Sequence, residues 1–192
     1  MIKTSRLLLR PWQENDLALF AQLNADPRVM EYFPSVKNFE ESAKEYEAIL
    51  EHFRKHGYGW WAISEKNKTN FIGFVGLRYI DFPASFTPNV EIAWRLAYDY
   101  WGKGYGTEGA NASLEYGFEV LKLPEIISFT SIPNIRSQAV MERIGMHHDS
   151  QDDFDHPKLP KEHKLSRHVF YRLKAREWQQ KRSYDNKNDQ VF

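Results

Sequence analysis

The stretch Asn89–Gly109, NVEIAWRLAYDYWGKGYGTEG, decides the architecture. Its first nine residues alternate, with Val90, Ile92, Trp94 and Leu96 on one face and Glu91 and Arg95 on the other, which predicts a strand with one polar face. Gly104, Gly106 and Gly109 then follow in the spacing G-x-G-x-x-G. Beyond them, TEGANASLEYGFEVLK sets Ala110, Leu114, Phe118 and Leu121 on one helical face. Strand, glycine turn and helix together make an anion cradle available, because glycines let backbone approach an oxyanion and a helix start offers free N–H groups. A tight strand-to-helix turn needs the same residues. A P-loop requires G-x-x-x-x-G-K-[ST], which no lysine here satisfies. A dinucleotide fold requires an acidic residue ending the next strand, and that strand ends FTSIPN.

Working outward, the elements alternate in type. RLLLRP predicts a short strand stopped by Pro11, and ENDLALFAQLNAD a helix carrying Leu17, Phe20 and Leu23. NFEESAKEYEAILEHFRKHG is a helix with Asn38 as cap, Glu41 at the capping-box position and Gly57 as stop. GWWAISEK and NFIGFVGLRYI, broken by KNKTN, read as two antiparallel strands. After the glycine turn come a strand EIISFTSI, a short helix NIRSQAVMERIG capped by Asn134 and closed by Gly145, and a last strand RHVFYRL. RLKAREWQQKR reads as a final amphipathic helix, and residues 182–192 as a polar, frayed tail. The sum is an α/β (α+β) sandwich over residues 1–181, one domain with a mixed, largely antiparallel sheet.

Composition limits the partners. Lys plus Arg equal Asp plus Glu at 26 each, so no whole-protein field draws in nucleic acid, membrane or acidic substrate, and any anion site is local. Without cysteine there are no disulfides, thiolate metal sites or cysteine nucleophile, which fits a reducing compartment. The N-terminal MIKTSRLLLRPW is too short in apolar residues for a membrane span, so the expected location is cytoplasmic. His147 and His148 are adjacent, and His156, His163 and His168 follow without ligand spacing, so no metal is expected.

Three ordered blocks, TSRLLLRPW…DP, VEIAWRLAYDYWGKGYGTEG and NIRSQAVMERIGM, resemble the GNAT superfamily of acyl-CoA-dependent N-acyltransferases, in particular its RimJ/RimL-type branch. The likeness extends more weakly through DFDHP and HVFYRL and covers most of residues 1–173. It implies a sheet split between the strands at 89–97 and 125–132, with acetyl-CoA in the slot. Gly104 and Gly106 fill the glycine positions of the cofactor motif [QR]-x-x-G-x-[GA], while Trp101 stands where Gln or Arg is usual. By this resemblance the N–H groups of Gly102, Lys103, Gly104, Tyr105, Gly106 and Thr107 hold the pyrophosphate, and the main chain of Trp94, Arg95 and Leu96 pairs with the pantetheine amides. Asn134 touches the cofactor arm or only caps its helix. Lys103 and Arg136 add charge near the phosphates or remain ordinary solvated side chains.

Amine attack on a thioester needs a proton acceptor, support for a developing oxyanion and a proton for the thiolate. Glu91, on the polar face of the strand, is the candidate base; its alternative is an exposed or ion-paired carboxylate. Many GNAT enzymes place a tyrosine seven residues after the helix-capping Asn, and here Met141 stands there. Ser137 is the candidate in its stead, by hydrogen bond to sulfur or by relay from water, or it is an inert helix residue. An N–H of the Trp94–Leu96 strand is the oxyanion donor. Tyr32, Phe33, Trp60 and Trp61 wall an acceptor pocket or belong to the core, and Asp155 or His156 lies near the acceptor groove. The expected activity is acetyl transfer to a primary amine, a protein N-terminus or a small amine, by a monomer or homodimer. The alternative is a non-catalytic acyl-CoA-binding or sensing domain of the same fold.

Overall fold

The apolar alternation becomes strands and the amphipathic runs become helices. The structure, a computed structural model, describes residues 1–68 and 70–188. Its strands are β1 (Ile2–Lys3), β2 (Leu7–Arg10), β3 (Trp60–Glu65), β4 (Gly73–Ile80), β5 (Asn89–Leu96), β6 (Glu125–Ser131), β7 (His147–His148), β8 (Phe154–Asp155) and β9 (Arg167–Lys174). The helices are α1 (Asp16–Ala25), α2 (Phe39–His56), α3 (Tyr105–Glu115), α4 (Ile135–Arg143) and α5 (Ala175–Asn188). All strands join one sheet in the order β1-β2-β3-β4-β5-β6-β9-β7, with β8 also on β9. Every pairing is antiparallel except β5 with β6. This is the mixed, largely antiparallel α/β arrangement expected.

Helices cover both faces. On one, Val90, Ile92 and Leu96 of β5 pack with Ala110, Leu114 and Phe118; burying each such side chain contributes roughly 1.5–3 kcal/mol. On the other, Trp12, Phe20, Leu23, Tyr46, Ile49 and Phe74 form a second core under α1 and α2. The entry to α1 is fixed by a buried bidentate pair, Arg10 to Asp16 at 2.7 and 2.8 Å. The α2 capping box forms as the sequence predicts, with Asn38 and Glu41 exchanging bonds of 2.9 Å and Gly57 left-handed at φ 75°.

One pairing sets the site. β5 and β6 meet in register only at Glu91 and Ile127, and the Ser128 hydroxyl donates to the Ile92 carbonyl at 2.9 Å. Beyond that apex the two parallel strands carry no further ladder bond, so the sheet opens toward their C-terminal ends, in the place expected.

Two local expectations are corrected, the start of the third helix and the tail, and two further local features emerge. The helix after the glycine turn starts at Tyr105 rather than Thr107 and closes in a π-helical turn, Tyr116–Val120, where Gly117 packs so tightly that a Cβ would lie 2.6 Å from Ile126 Cδ1. The polar face of β5 is not solvated, because Arg95 is only 8% exposed. The loop after His148 contributes a short strand, since Phe154 buries against Phe86 and Phe170 and draws Asp155 into register with Arg167. Finally, α5 continues to Asn188, so residues 182–188 are helical rather than an irregular tail; residues 189–192 lie outside those described.

Candidate functional site

The opened edge of β5 is the first component. Ala97 N–H donates to the Ile72 carbonyl, so in the alternating bond pattern of an antiparallel pair Arg95, Ala93 and Glu91 turn their main-chain groups toward β4. Ile92, Trp94 and Leu96 turn theirs toward the split, which the Ser128–Ile92 bond bears out independently. The Leu96 carbonyl is already taken by Trp101 Nε1 at 2.8 Å. Trp94 N–H and C=O and Leu96 N–H are therefore the groups left for an extended amide chain. The expectation that Arg95 pairs its main chain with pantetheine is corrected: its N–H and C=O are spent on β4. Its side chain runs the other way, donating to Asn24 Oδ1 at 2.6 Å and facing Glu45 at 3.5 Å.

The glycine turn is the second component. Gly102 and Gly104 are left-handed, at φ 71° and 77°, and Gly104 caps α3. Among the described residues, none of the six N–H groups from Gly102 through Thr107 donates to a protein acceptor; the first helical bond here is Glu108 N–H to the Gly104 carbonyl. Six consecutive free donors at a helix start suit a diphosphate. The turn is braced from outside: Arg6 Nη1 donates to the Lys103 carbonyl at 2.9 Å, while Glu108 accepts from Thr4, from Arg6 N–H and from Arg6 Nε. The Tyr105 ring faces away from the split and its hydroxyl donates to Glu65 at 2.8 Å. Lys103 is exposed, its ammonium 5.1 Å from the Tyr100 ring.

Glu91 stands at the apex of the split, half-buried, its side chain on the α1/α2 face beside its cross-strand partner Arg78. Burial raises its carboxyl from 4.5 to about 7, with the Arg78 and Lys158 charges pulling weakly the other way. A carboxylate poised there can take a proton near neutral pH.

α4 supplies the third component. Asn134 is a true cap: its Oδ1 accepts from Ser137 N–H at 3.2 Å and its Nδ2 donates to Thr130 Oγ1 at 2.9 Å. The Ser137 hydroxyl has no protein partner among the described residues and is half-buried. Met141 is 1% exposed and belongs to the core. Arg136 is engaged elsewhere than on the turn, pairing with Glu31 at 2.6 Å over the rings of Trp101 and Tyr32. Phe33, 37% exposed, lies 4.4 Å from the Arg95 guanidinium. Thus Tyr32 and Phe33 border the open ends of β5 and α4.

Two expected acceptor contacts separate. Asp155 is exposed and faces Arg167 across the strand pair at 3.6 Å, a surface contact. His156 instead packs among Phe82, Phe129, Phe154 and His168, where burial lowers its pKa to about 4. Trp61 is core and Trp60 lies on the α2 side of the sheet, as opposite orientations along a strand require. No group of three or more His, Asp or Glu side chains among the described residues is placed to hold a metal ion.

A family model described as the acetyltransferase (GNAT) domain matches residues 6–147. The chain belongs to the GNAT acetyltransferases. This acetyltransferase is 30% identical over 178 residues to the uncharacterized N-acetyltransferase YnaD of Bacillus subtilis, covering 92% of this chain and 98% of that one. It is 32% identical over 158 residues to the FsC-acetyl coenzyme A-N(2)-transacetylase of Aspergillus fumigatus, covering 77% of this chain and 65% of the relative. Its fold superposes on an acetyltransferase of Agrobacterium tumefaciens with a TM-score of 0.72 and 27% identity, over 90% and 92% of the two chains. A spermidine N-acetyltransferase of Vibrio cholerae, solved with CoA and spermine, shares the fold at a TM-score of 0.71 and 21% identity, over 91% and 99% of the chains. The chain is accordingly an acyltransferase enzyme. No helix among its described residues is long and apolar enough to cross a membrane.

Sequence reasoning passed over several residues that this acetyltransferase brings to the site. Arg6 and Glu108 brace the turn from positions far apart in the chain, and only the local TSR and TEG contexts hinted at them. Arg78, which lies against Trp60, Ile49 and His52, reads as an ordinary strand residue. His52 is held neutral, its pKa lowered to about 4 chiefly by burial. Its Nε2 accepts from Tyr79 N–H at 3.0 Å and its Nδ1 lies 2.9 Å from the Tyr58 carbonyl, which assigns the proton to Nδ1.

Proposed function

We propose that this acetyltransferase moves an acetyl group from acetyl-CoA directly to a primary amine, with Glu91 as base. The observation that carries the reading is the row of N–H groups without acceptors among the described residues, Gly102–Thr107, at the start of the helix that follows β5, the strand whose split from β6 has Glu91 at its apex. The residues fit the co-substrate: six free donors and a left-handed glycine cap suit a pyrophosphate, and the exposed edge of Trp94 and Leu96 suits amides. Bound there, acetyl-CoA supplies the activated acyl group as a thioester.

The chain's own residues then divide the work. Trp94 and Leu96 hold the extended arm in line with the apex. Glu91 takes the proton from the amine as the N–C bond forms and the C–S bond breaks, and an N–H of the Trp94–Leu96 edge steadies the carbonyl oxygen. Ser137 returns a proton to the departing sulfur, directly or from water. Asn134 sets the direction of α4 and so positions that hydroxyl. Arg136, released from Glu31, and Lys103 add positive charge at the mouth. We place the enzyme in the RimJ/RimL-type branch, in keeping with its 29% identity over 107 residues to the putative ribosomal N-acetyltransferase YdaF of Bacillus subtilis. We read residues 1–181 as one transferase domain that works in the cytoplasm as a monomer or homodimer, without nucleic acid.

The test is release of free CoA from acetyl-CoA with a panel of amines spanning peptides, polyamines and amino acids. Acetylated product recovered in equal amount to CoA supports direct transfer; CoA release that no amine stimulates contradicts it.

A further inference from the structure

The face that carries Glu91 also carries donors without acceptors. Arg78 is cross-strand from Glu91, half-buried, its guanidinium 4.7 Å from the Trp60 ring centroid, and among the described residues it has neither an ion pair nor a hydrogen bond. Trp60 Nε1 is buried and equally without a partner. Both lie against Ile49 and His52 in a crevice too narrow to admit a water molecule, and His52 is occupied at both ring nitrogens, so it offers them nothing. A half-buried guanidinium left unpaired is costly, and Arg78, the more exposed of the two donors, asks for an anion or other strong acceptor.

The carboxylates bordering this face are not free to supply it. Glu45 is held between Lys37 at 2.6 Å and Arg95 at 3.5 Å; burial would raise its pKa, but those two charges outweigh it. Glu31 pairs with Arg136, Asp155 with Arg167, and Asp153 with His148 at 2.8 Å. Lys158, exposed in the loop after β8, lies near enough to act on the Glu91 carboxyl and adds a second cation. On the far side of Glu91, Phe82, Phe86 and Phe129 pack on Ile80 and Ile127 as an apolar wall.

We propose that the acceptor is an amine carrying a carboxylate a few bonds from its nitrogen, an amino acid with an apolar side chain, whose carboxylate Arg78 holds while Glu91 receives the amine proton. This rests on the acetyl-transfer reading above. The register places the two residues directly opposite each other on one face of the sheet, so the proton acceptor and the anion holder rise side by side within reach of one small molecule. The phenylalanine wall takes the side chain. A polyamine would instead bring a second cation against Arg78 and Lys158.

The experiment compares leucine and phenylalanine with their carboxamides, with a short peptide and with spermidine in the CoA-release assay, on wild-type enzyme and on Arg78→Gln, with acetyl-CoA affinity measured in parallel by calorimetry. A charge-assisted hydrogen bond to carboxylate predicts wild-type kcat/KM roughly 10- to 100-fold higher for each amino acid than for its carboxamide. The carboxamide amine is the less basic, so more of it is already deprotonated and the comparison is weighted against the proposal. In Arg78→Gln, compared at a pH above the Glu91 titration, the preference collapses toward parity through KM, and acetyl-CoA affinity is unchanged. Arg78→Lys restores part of the preference. Equal use of acid and carboxamide by the wild type, better use of spermidine or of a peptide N-terminus, or no use of any carboxylate-bearing amine overturns the proposal. Transfer to spermidine or peptide alone would do so with the acetyl-transfer reading intact, whereas failure to bind acetyl-CoA would remove that reading itself. Should Arg78→Gln not fold, the wild-type ratio of acid to carboxamide decides by itself.

Discussion

Replacing Glu91 by Gln keeps its size and one acceptor oxygen but removes the titration. In the folded protein the carboxyl is raised from 4.5 to about 7, chiefly by burial, against the pull of Arg78 and Lys158. Two consequences follow with opposite practical signs. As a base Glu91 works only when ionised, so wild-type kcat/KM, reckoned on the unprotonated amine, should climb with pH and level off above about 7, while Glu91→Gln should lie roughly 10²–10⁴-fold lower on a profile lacking that step. For stability the proton is bound more tightly in the folded state than in the unfolded one. Its contribution is fully present below 4.5 and is lost as pH rises through about 7. At about 1.4 kcal/mol per pH unit the interval amounts to ~3 kcal/mol, which partial exposure trims to ~2. Glu91→Gln should therefore match wild type in urea unfolding near pH 4.5 and exceed it by ~2 kcal/mol at pH 8. The assays are the pH–rate profile with a fixed amine and the urea midpoint at both pH values. A wild-type rate inflection near 4.5, or a variant that retains the wild-type rate, would refute the reasoning.

Three other substitutions test separate parts of the site and its frame. Ser137→Ala should lower kcat about tenfold, the modest effect expected of a weakly acidic hydroxyl; an unchanged rate over the whole pH range would take Ser137 out of the mechanism. Gly104→Ala imposes a Cβ on a backbone at φ 77° and within 3.3 Å of Arg6 Nη2, so it should cost ~1–2 kcal/mol in urea and weaken acetyl-CoA binding by calorimetry. Asp16→Ala leaves Arg10 charged at 7% side-chain exposure without its partner, which predicts a loss of ~3–5 kcal/mol in chemical unfolding and a lowered Tm.

Local signals carried most of the frame. Asn38 with Glu41, Gly57, Asn134 and Gly145 are punctuation that acts within a turn of the chain, and each bounds its helix where the residues say it should. The alternation in β5 likewise identified the face that Glu91 occupies. What could not be read was long-range. Arg95 looks like a solvated strand residue until Asn24 and Glu45, distant in sequence, close over it. The direction of its main chain depends on the register with β4, which one strand alone does not reveal. Arg136 finds Glu31 across the fold, and Arg6 finds Glu108. Phe154 makes a strand of an apparent loop because an aromatic cluster, assembled from Phe86, Phe129 and Phe170, gives it somewhere to bury.

The central claim, that the glycine turn and the split sheet hold acetyl-CoA, is tested most directly by calorimetric titration of the purified protein with acetyl-CoA, with NADH in parallel. The account predicts one acetyl-CoA per chain with a dissociation constant in roughly the micromolar range and no heat from NADH; no binding of acetyl-CoA, or equal binding of NADH, would contradict it.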